Sequence, residues 1–131
     1  MKLLDVIFGK ARTMKFEKDP PGQWITLETP DGVLTNFGID EITEAIRVTR
    51  KNPDYYLILT LPNAIHGIRY VQACECDGTL DVQLAIEKKK YVKLVEKLCE
   101  EPECIDIFVR FFDTGEVDDL HVYKPVLFER S

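Results

Sequence analysis

The sequence predicts an α+β fold: an antiparallel or mixed sheet with helices mainly on one face, in the order α-ββ-α-β-ββ-α-β-β. Three observations carry this. Two strand-like runs flank Asp77-Gly78, a pair whose tolerance of positive φ suits a type I′ hairpin. Apolar residues recur at helical spacing over residues 40–50 and 88–100. Strand-like segments outnumber helical ones and are joined by short turns, which favours antiparallel neighbours. At 131 residues, and with no linker long enough to divide it, the chain reads as one domain, 1–131.

Taken in order, Leu3, Leu4, Ile7 and Phe8 share one side of a short N-terminal helix that Gly9 can end. Residues 17–23, EKDPPGQ, read as a loose connection. Residues 24–29 alternate, and Pro30-Asp31-Gly32 turns the chain into Val33-Leu34, giving a first hairpin. Asp40 is the expected N-cap of a helix to about residue 50, with Ile42, Ala45, Ile46 and Thr49 on its inner face and Pro53 stopping it. Residues 55–61, YYLILTL, are apolar on both sides and predict a mid-sheet strand covered on both faces.

The hairpin around Asp77-Gly78 supports a register. With Cys76 opposite Thr79, Ala73 faces Val82, Val71 faces Leu84 and Arg69 faces Ile86. Leu80, Val82, Leu84 and Ile86 then form a core face with Val71 and Ala73. Tyr70, Gln72, Cys74, Cys76, Asp81, Gln83 and Ala85 take the other face. Residues 88–100 are expected to be a helix burying Tyr91, Leu94, Val95, Leu98 and Cys99, although its lysines at the start and glutamates at the end oppose the macrodipole. That opposition is a pointer to an interface. Ile105, Ile107, Val109 and Phe111 alternate as a strand would, and Thr114-Gly115 turns into a last strand near residues 121–123, which Pro125 confines to an edge.

Net charge is −6 with a pI near 4.9, which argues against nucleic acid as a partner, because phosphate binding needs a basic surface. The charge is concentrated. Residues 95–119 hold nine acidic and two basic side chains, whereas residues 1–94 hold thirteen of each. This segment reads either as a solvated surface or as an electrostatic landing site for a basic protein partner. No stretch approaches the roughly 20 apolar residues of a membrane span, and no cleavable leader is recognisable. A cytoplasmic, reducing setting with Cys74, Cys76, Cys99 and Cys104 as free thiols is the expectation.

Chemistry-bearing motifs are sparse. Cys74-x-Cys76 has no second ligand pair, and residues two apart on a strand lie about 6.5–7 Å apart, at the limit for a disulfide. His66 and His121 have no partner at ligand spacing, the sole serine is Ser131, and the acidic run at residues 113–119 lacks the spacing of a calcium loop. The expectation is no catalytic residue, no metal and no cofactor. The candidate partner-binding residues are Asp113, Glu116, Asp118 and Asp119 on the acidic turn and Tyr70, Gln72, Asp81 and Gln83 on the hairpin face.

The segment IRYVQACECDGTLDVQLAIE, the run YVKLVEKL after it and the opening LLDVIFGKA together resemble small chaperone-like domains related to type III secretion chaperones. Relatives of these domains occur as immunity proteins in bacterial polymorphic-toxin systems. The resemblance implies an acidic cytoplasmic α+β protein, often dimeric, that holds a secreted toxin or effector. It supplies no motif from which individual residues can be carried over. A non-enzymatic protein-binding domain is the leading expectation. The alternatives are a small-ligand or metal-sensing domain using the Cys74/Cys76 face, or a structural homodimer.

Overall fold

The first hairpin forms because a single polar turn separates two short apolar runs. The structure, a computed structural model, describes residues 24–126, so the N-terminal helix expected over residues 3–8 and the 17–23 connection lie outside the described residues. Strands β1 (Thr26–Thr29) and β2 (Gly32–Leu34) pair with Leu27 opposite Leu34, and the Asp31 N–H donates to Thr29 Oγ1 at 3.1 Å across the turn. Helix α1 (Ile39–Lys51) is capped by Gly38, whose N–H donates to Glu41 Oε1 at 2.7 Å. Asp40 therefore sits inside the first turn, where its charge favours the helix dipole, rather than at the cap itself. Ile42, Ala45, Ile46 and Thr49 are all buried, and Thr49 Oγ1 donates to Ala45 O at 2.7 Å, satisfying the one hydroxyl among them.

Strand β3 (Tyr56–Thr60) lies inside the sheet, between β1 and β4. Its apolar character had suggested cover on both sides. Only Leu57 and Leu59 are buried, while Tyr56, Ile58 and Thr60 face the other way and remain half-buried.

Strands β4 (Ile68–Cys76) and β5 (Thr79–Glu87) meet through Asp77 (φ 50°) and Gly78 (φ 87°), the two positive-φ positions that the turn requires. Cys76 pairs with Thr79, Ala73 with Val82 and Val71 with Leu84, as the turn predicts. Beyond Tyr70 the register shifts, and Ile86 faces Ile68 instead of Arg69. Strict alternation would turn Arg69 toward the core beside Val71. The bulge buries Ile68 in its place and leaves the Arg69 guanidinium outside, donating to Glu87 at 2.7 Å.

Past β5 the expected elements are exchanged. Residues expected to be helical form β6 (Val92–Cys99), paired with β5 from Glu87–Val92 to Leu80–Cys99. Lys88, Lys89 and Lys90 are the connecting turn, closed by the Lys88 N–H on Tyr91 O at 2.9 Å. Tyr91 and Leu98, expected inside, are 63% and 60% exposed. Residues expected to be a strand form α2 (Glu101–Thr114), with Pro102 in its first turn and Gly115 (φ 77°) as its left-handed cap. Cys104, Phe108 and Phe111 are buried at i, i+4 and i+7. Glu101 and Glu103 now open a helix rather than follow one, so the dipole opposition, and the interface it pointed to, disappear. The expected strand near 121–123 is a 3₁₀ turn (Leu120–Val122), and β7 (Lys124–Pro125) follows it as an edge strand beside β6.

The result is α+β: seven antiparallel strands in the order β2-β1-β3-β4-β5-β6-β7. One buried row, Leu34–Leu27–Leu59–Val71–Leu84–Val95, crosses six of them in register. Helices α1 and α2 pack on each other, α1 over β3 and β4 and α2 over β5. Among the described residues no helix is long and apolar enough to cross a membrane.

Candidate functional site

Side chains alternate across a strand, so the register that lines up the core also lines up the opposite face. There Glu28, Ile58, Gln72, Gln83, Glu96 and Lys124 form one cross-strand row, and Tyr56, Cys74, Asp81 and Leu98 form the next. Among the described residues no helix covers this face. Of the hairpin residues expected to bind, Gln72, Asp81 and Gln83 join one hydrogen-bonded network. The Gln72 amide donates to Gln83 Oε1 at 2.7 Å, and Gln83 Nε2 donates to Asp81 Oδ2 at 3.2 Å and Glu96 Oε1 at 3.4 Å. Tyr70 shares the face but stands outside the network, in the row of Thr60 and Ala85, where Ala85 is buried.

Glu96 is the member that sequence reasoning missed, because residues 88–100 read as helix. Desolvation, then a hydrogen bond to Asp81 and that residue's charge, push the Glu96 carboxyl above its ordinary value, while the Gln83 amide pulls the other way. The second Asp81 oxygen, Oδ1, is buried and has no donor. Beside the pair a groove of about 440 Å³ runs between β6 and the 3₁₀ turn, lined by Cys76, Asp81, Glu96, Lys97, Leu98, Val122 and Lys124.

Cys74 and Cys76 lie on this face as free thiols. Desolvation, followed by the charge of Asp81 for Cys74 and of Asp77 for Cys76, pushes both thiols up. A thiol held protonated is a poor nucleophile and a poor metal ligand. Cys99 and Cys104 are buried and flank the start of α2, at the positions where a residue before the cap packs on the fourth helical residue. The Cys104 thiol donates to Cys99, which together with burial drives the Cys104 value far up. Among the described residues no group of three or more His, Cys, Asp or Glu side chains could hold a metal ion.

The acidic turn is arranged differently. Arg110 on α2 binds Glu116 through Nη2 at 2.7 Å and Asp118 through Nε at 3.1 Å. Upstream, Arg47 pairs with Glu101 at 3.5 Å, and Lys97 pairs with Glu103. Asp113 and Asp119 are exposed, the latter with φ 55°. The two histidines, unpartnered in sequence, meet here: His66 Nε2 lies 3.5 Å from Glu116, and both His66 and His121 line a cleft of about 560 Å³ with Glu116, Asp118 and Asp119. Four of the nine acidic side chains of residues 95–119 are thus ion-paired, three of them with the segment's own Lys97 and Arg110 and one with Arg47 of α1. In comparisons with protein-family models, curated proteins and solved structures, nothing matched the chain.

Proposed function

We propose that the chain is a non-enzymatic protein-binding domain, of the immunity or chaperone-like kind its sequence resembles, and that it holds a basic partner on the open sheet face. The observation that carries this reading is the Gln72–Gln83–Asp81–Glu96 network, which gathers two carboxyl groups around one neutral amide on a face no helix covers among the described residues. Among the described residues no ion pair compensates either carboxyl, so a partner's cation can supply what the neutral amide does not. The acidic turn supports binding less well, because Arg110 already satisfies Glu116 and Asp118.

A three-way comparison tests the reading. The wild type, the isosteric pair Asp81→Asn/Glu96→Gln, and the turn reversal Glu116→Lys/Asp118→Lys/Asp119→Lys would be tagged and expressed in the native host. A partner retained by the wild type should fall at least about tenfold with the isosteric pair. It should change mainly in its salt dependence with the turn reversal. Full retention by the isosteric pair would overturn the assignment of the face.

A further inference from the structure

We infer that the turn between β5 and β6 is a docking tip for an anionic lipid surface, its lysines set against the headgroups and Tyr91 and Val92 entering the interface. This goes beyond the protein-binding reading and does not depend on it. Lys88, Lys89, Lys90, Tyr91, Val92 and Lys93 are consecutive and all exposed, Tyr91 by 63% and Val92 by 50%. The turn is closed by the Lys88 N–H on Tyr91 O at 2.9 Å and anchored by the Glu87 N–H on Gly67 O at 2.8 Å. Lys89 and Lys90 therefore stand at its apex. In a turn these lysines oppose no helix dipole; what sets them apart is that, among the described residues, none of the four is in an ion pair. Glu87, the acidic neighbour, is already bound by Arg69.

Composition and shape favour lipid over other polyanions. A tight turn at the end of two strands meets a broad surface with its apex and does not enclose a small anion. All four cations are lysines, compact point charges suited to many interchangeable headgroups. Arginine, whose fork pairs bidentately with carboxylate or phosphate, is absent from residues 88–93. Lysine is depleted in protein–protein interfaces, which counts against an acidic protein. The four lysines stand in a chain of net charge −6, so the remainder carries −10, which counts against a nucleic-acid strand that would run on past the tip. A tyrosine and an aliphatic side chain beside lysines suit the boundary between headgroups and acyl chains, where the ring is apolar and its hydroxyl stays wet. Acidic groups further than about 8 Å from the headgroups are screened at physiological salt. Asp81 lies six residues back along β5 from Glu87, about 20 Å at strand spacing, so the tip can be seated while the sheet face holds a protein.

The test is cosedimentation of the full chain with vesicles of phosphatidylcholine alone, or with about 30% phosphatidylglycerol, in about 0.1 M salt. Only the anionic vesicles should retain the chain, and about 1 M salt, where charge acts over roughly 3 Å, should release it. Each lysine near an anionic leaflet strengthens partition about fivefold, so Lys89→Gln/Lys90→Gln should weaken binding about 25-fold. Tyr91→Ser should weaken it several-fold and leave its salt dependence unchanged, because the lost contribution is apolar area rather than charge. These side chains are exposed, so every variant should keep the wild-type urea midpoint. With bicelles of the anionic mixture, amide signals of the ¹⁵N-labelled chain should broaden at residues 88–93 before those of Asp81 and the Gln83 side-chain amide.

Equal retention by the two vesicle types, no retention by the anionic ones at about 0.1 M salt, or broadening centred elsewhere would overturn the inference. So would undiminished binding by Lys89→Gln/Lys90→Gln. A short oligothymidylate or a hexaglutamate peptide that binds residues 88–93 at a lower concentration of negative charge than the vesicles would assign the tip to a nucleic acid or an acidic protein, and overturn the lipid assignment. Asp81→Asn/Glu96→Gln should sediment as the wild type does, and loss of vesicle binding in that pair would overturn the placement of the contact at the tip.

Discussion

The acidic turn and the open sheet face each gather carboxylates, and they compensate them in opposite ways. At the turn a full cation, Arg110, binds Glu116 and Asp118 directly. On the sheet face the compensation is a neutral amide from Gln83, with one Asp81 oxygen still lacking a donor. The turn dominates any count of charge along the sequence, yet it is the more nearly satisfied. The difference teaches that unspent binding capacity follows compensation in three dimensions rather than density in one.

The largest expected effect concerns what the two regions share. Phe108 is fully buried on the inner side of α2, the helix whose outer side carries Arg110. Phe108→Ala should destabilise the chain by about 3–5 kcal/mol through the cavity it leaves, read as a lower urea midpoint. If the two regions are mechanically joined, the Gln83 side-chain amide resonances should move along with those of residues 116–119. Movement at the turn alone would show the sheet face to be an independent unit.

Next in size is removal of the amide that serves the face. Gln83→Leu takes the common donor from Asp81 and Glu96 and the acceptor from Gln72. A cost of about 1–3 kcal/mol is expected, since partly buried polar groups are left without partners. The Glu96 carboxyl should also titrate higher than in the wild type, because the Gln83 hydrogen bond is the influence that lowers it. A Gln83→Leu variant as stable as the wild type would mean that the face is solvated well enough to need no internal donor.

The hairpin that presents this face was legible in the sequence because its information is local. Asp77-Gly78 demands two positive-φ residues, and three of the four register pairs follow from it. The fourth pair fails at the Arg69 bulge, where alternation would have buried a guanidinium. The exchange of β6 and α2 was not legible from periodicity alone. Residues 91–99 satisfy helical spacing, and what decides their state is a ladder with β5, a partner that a short window does not contain. Better signals were present nearby. Pro102 in a first turn, Glu101 and Glu103 beside it, and Gly115 beyond Thr114 are helix punctuation. Weighing them above the alternation of residues 105–111 would have located α2, released residues 92–99 to be a strand, and placed Glu96 beside Asp81.

A smaller effect separates the two modes of compensation by pH. The folded Glu96 carboxyl titrates above its ordinary value, so the folded state binds more protons than the unfolded state in the window just above the ordinary carboxylate range. Its contribution therefore favours folding on the acid side of that window and is lost as pH rises through the folded value. Urea midpoints of the wild type, after subtraction of those of Glu96→Gln, should fall as pH rises from the ordinary carboxylate range through the folded value. A flat difference would mean that desolvation and the Asp81 charge do not raise the Glu96 carboxyl in the folded state.

The smallest effect on stability is expected at the turn, where it is the most informative about binding. Arg110 is largely solvent-facing, so Arg110→Gln should cost no more than about 1 kcal/mol and less still in roughly 1 M salt. It nevertheless frees Glu116 and Asp118 and adds a full negative charge to the local field. If the turn is the docking surface, a basic partner should bind the variant more tightly and dissociate from it more slowly. If the sheet face is the docking surface, the added charge acts only from a distance, raising the association rate at low salt and leaving the dissociation rate unchanged. Surface-plasmon kinetics at two salt concentrations separate these outcomes, and a slower dissociation in Arg110→Gln would return the binding site to the acidic turn.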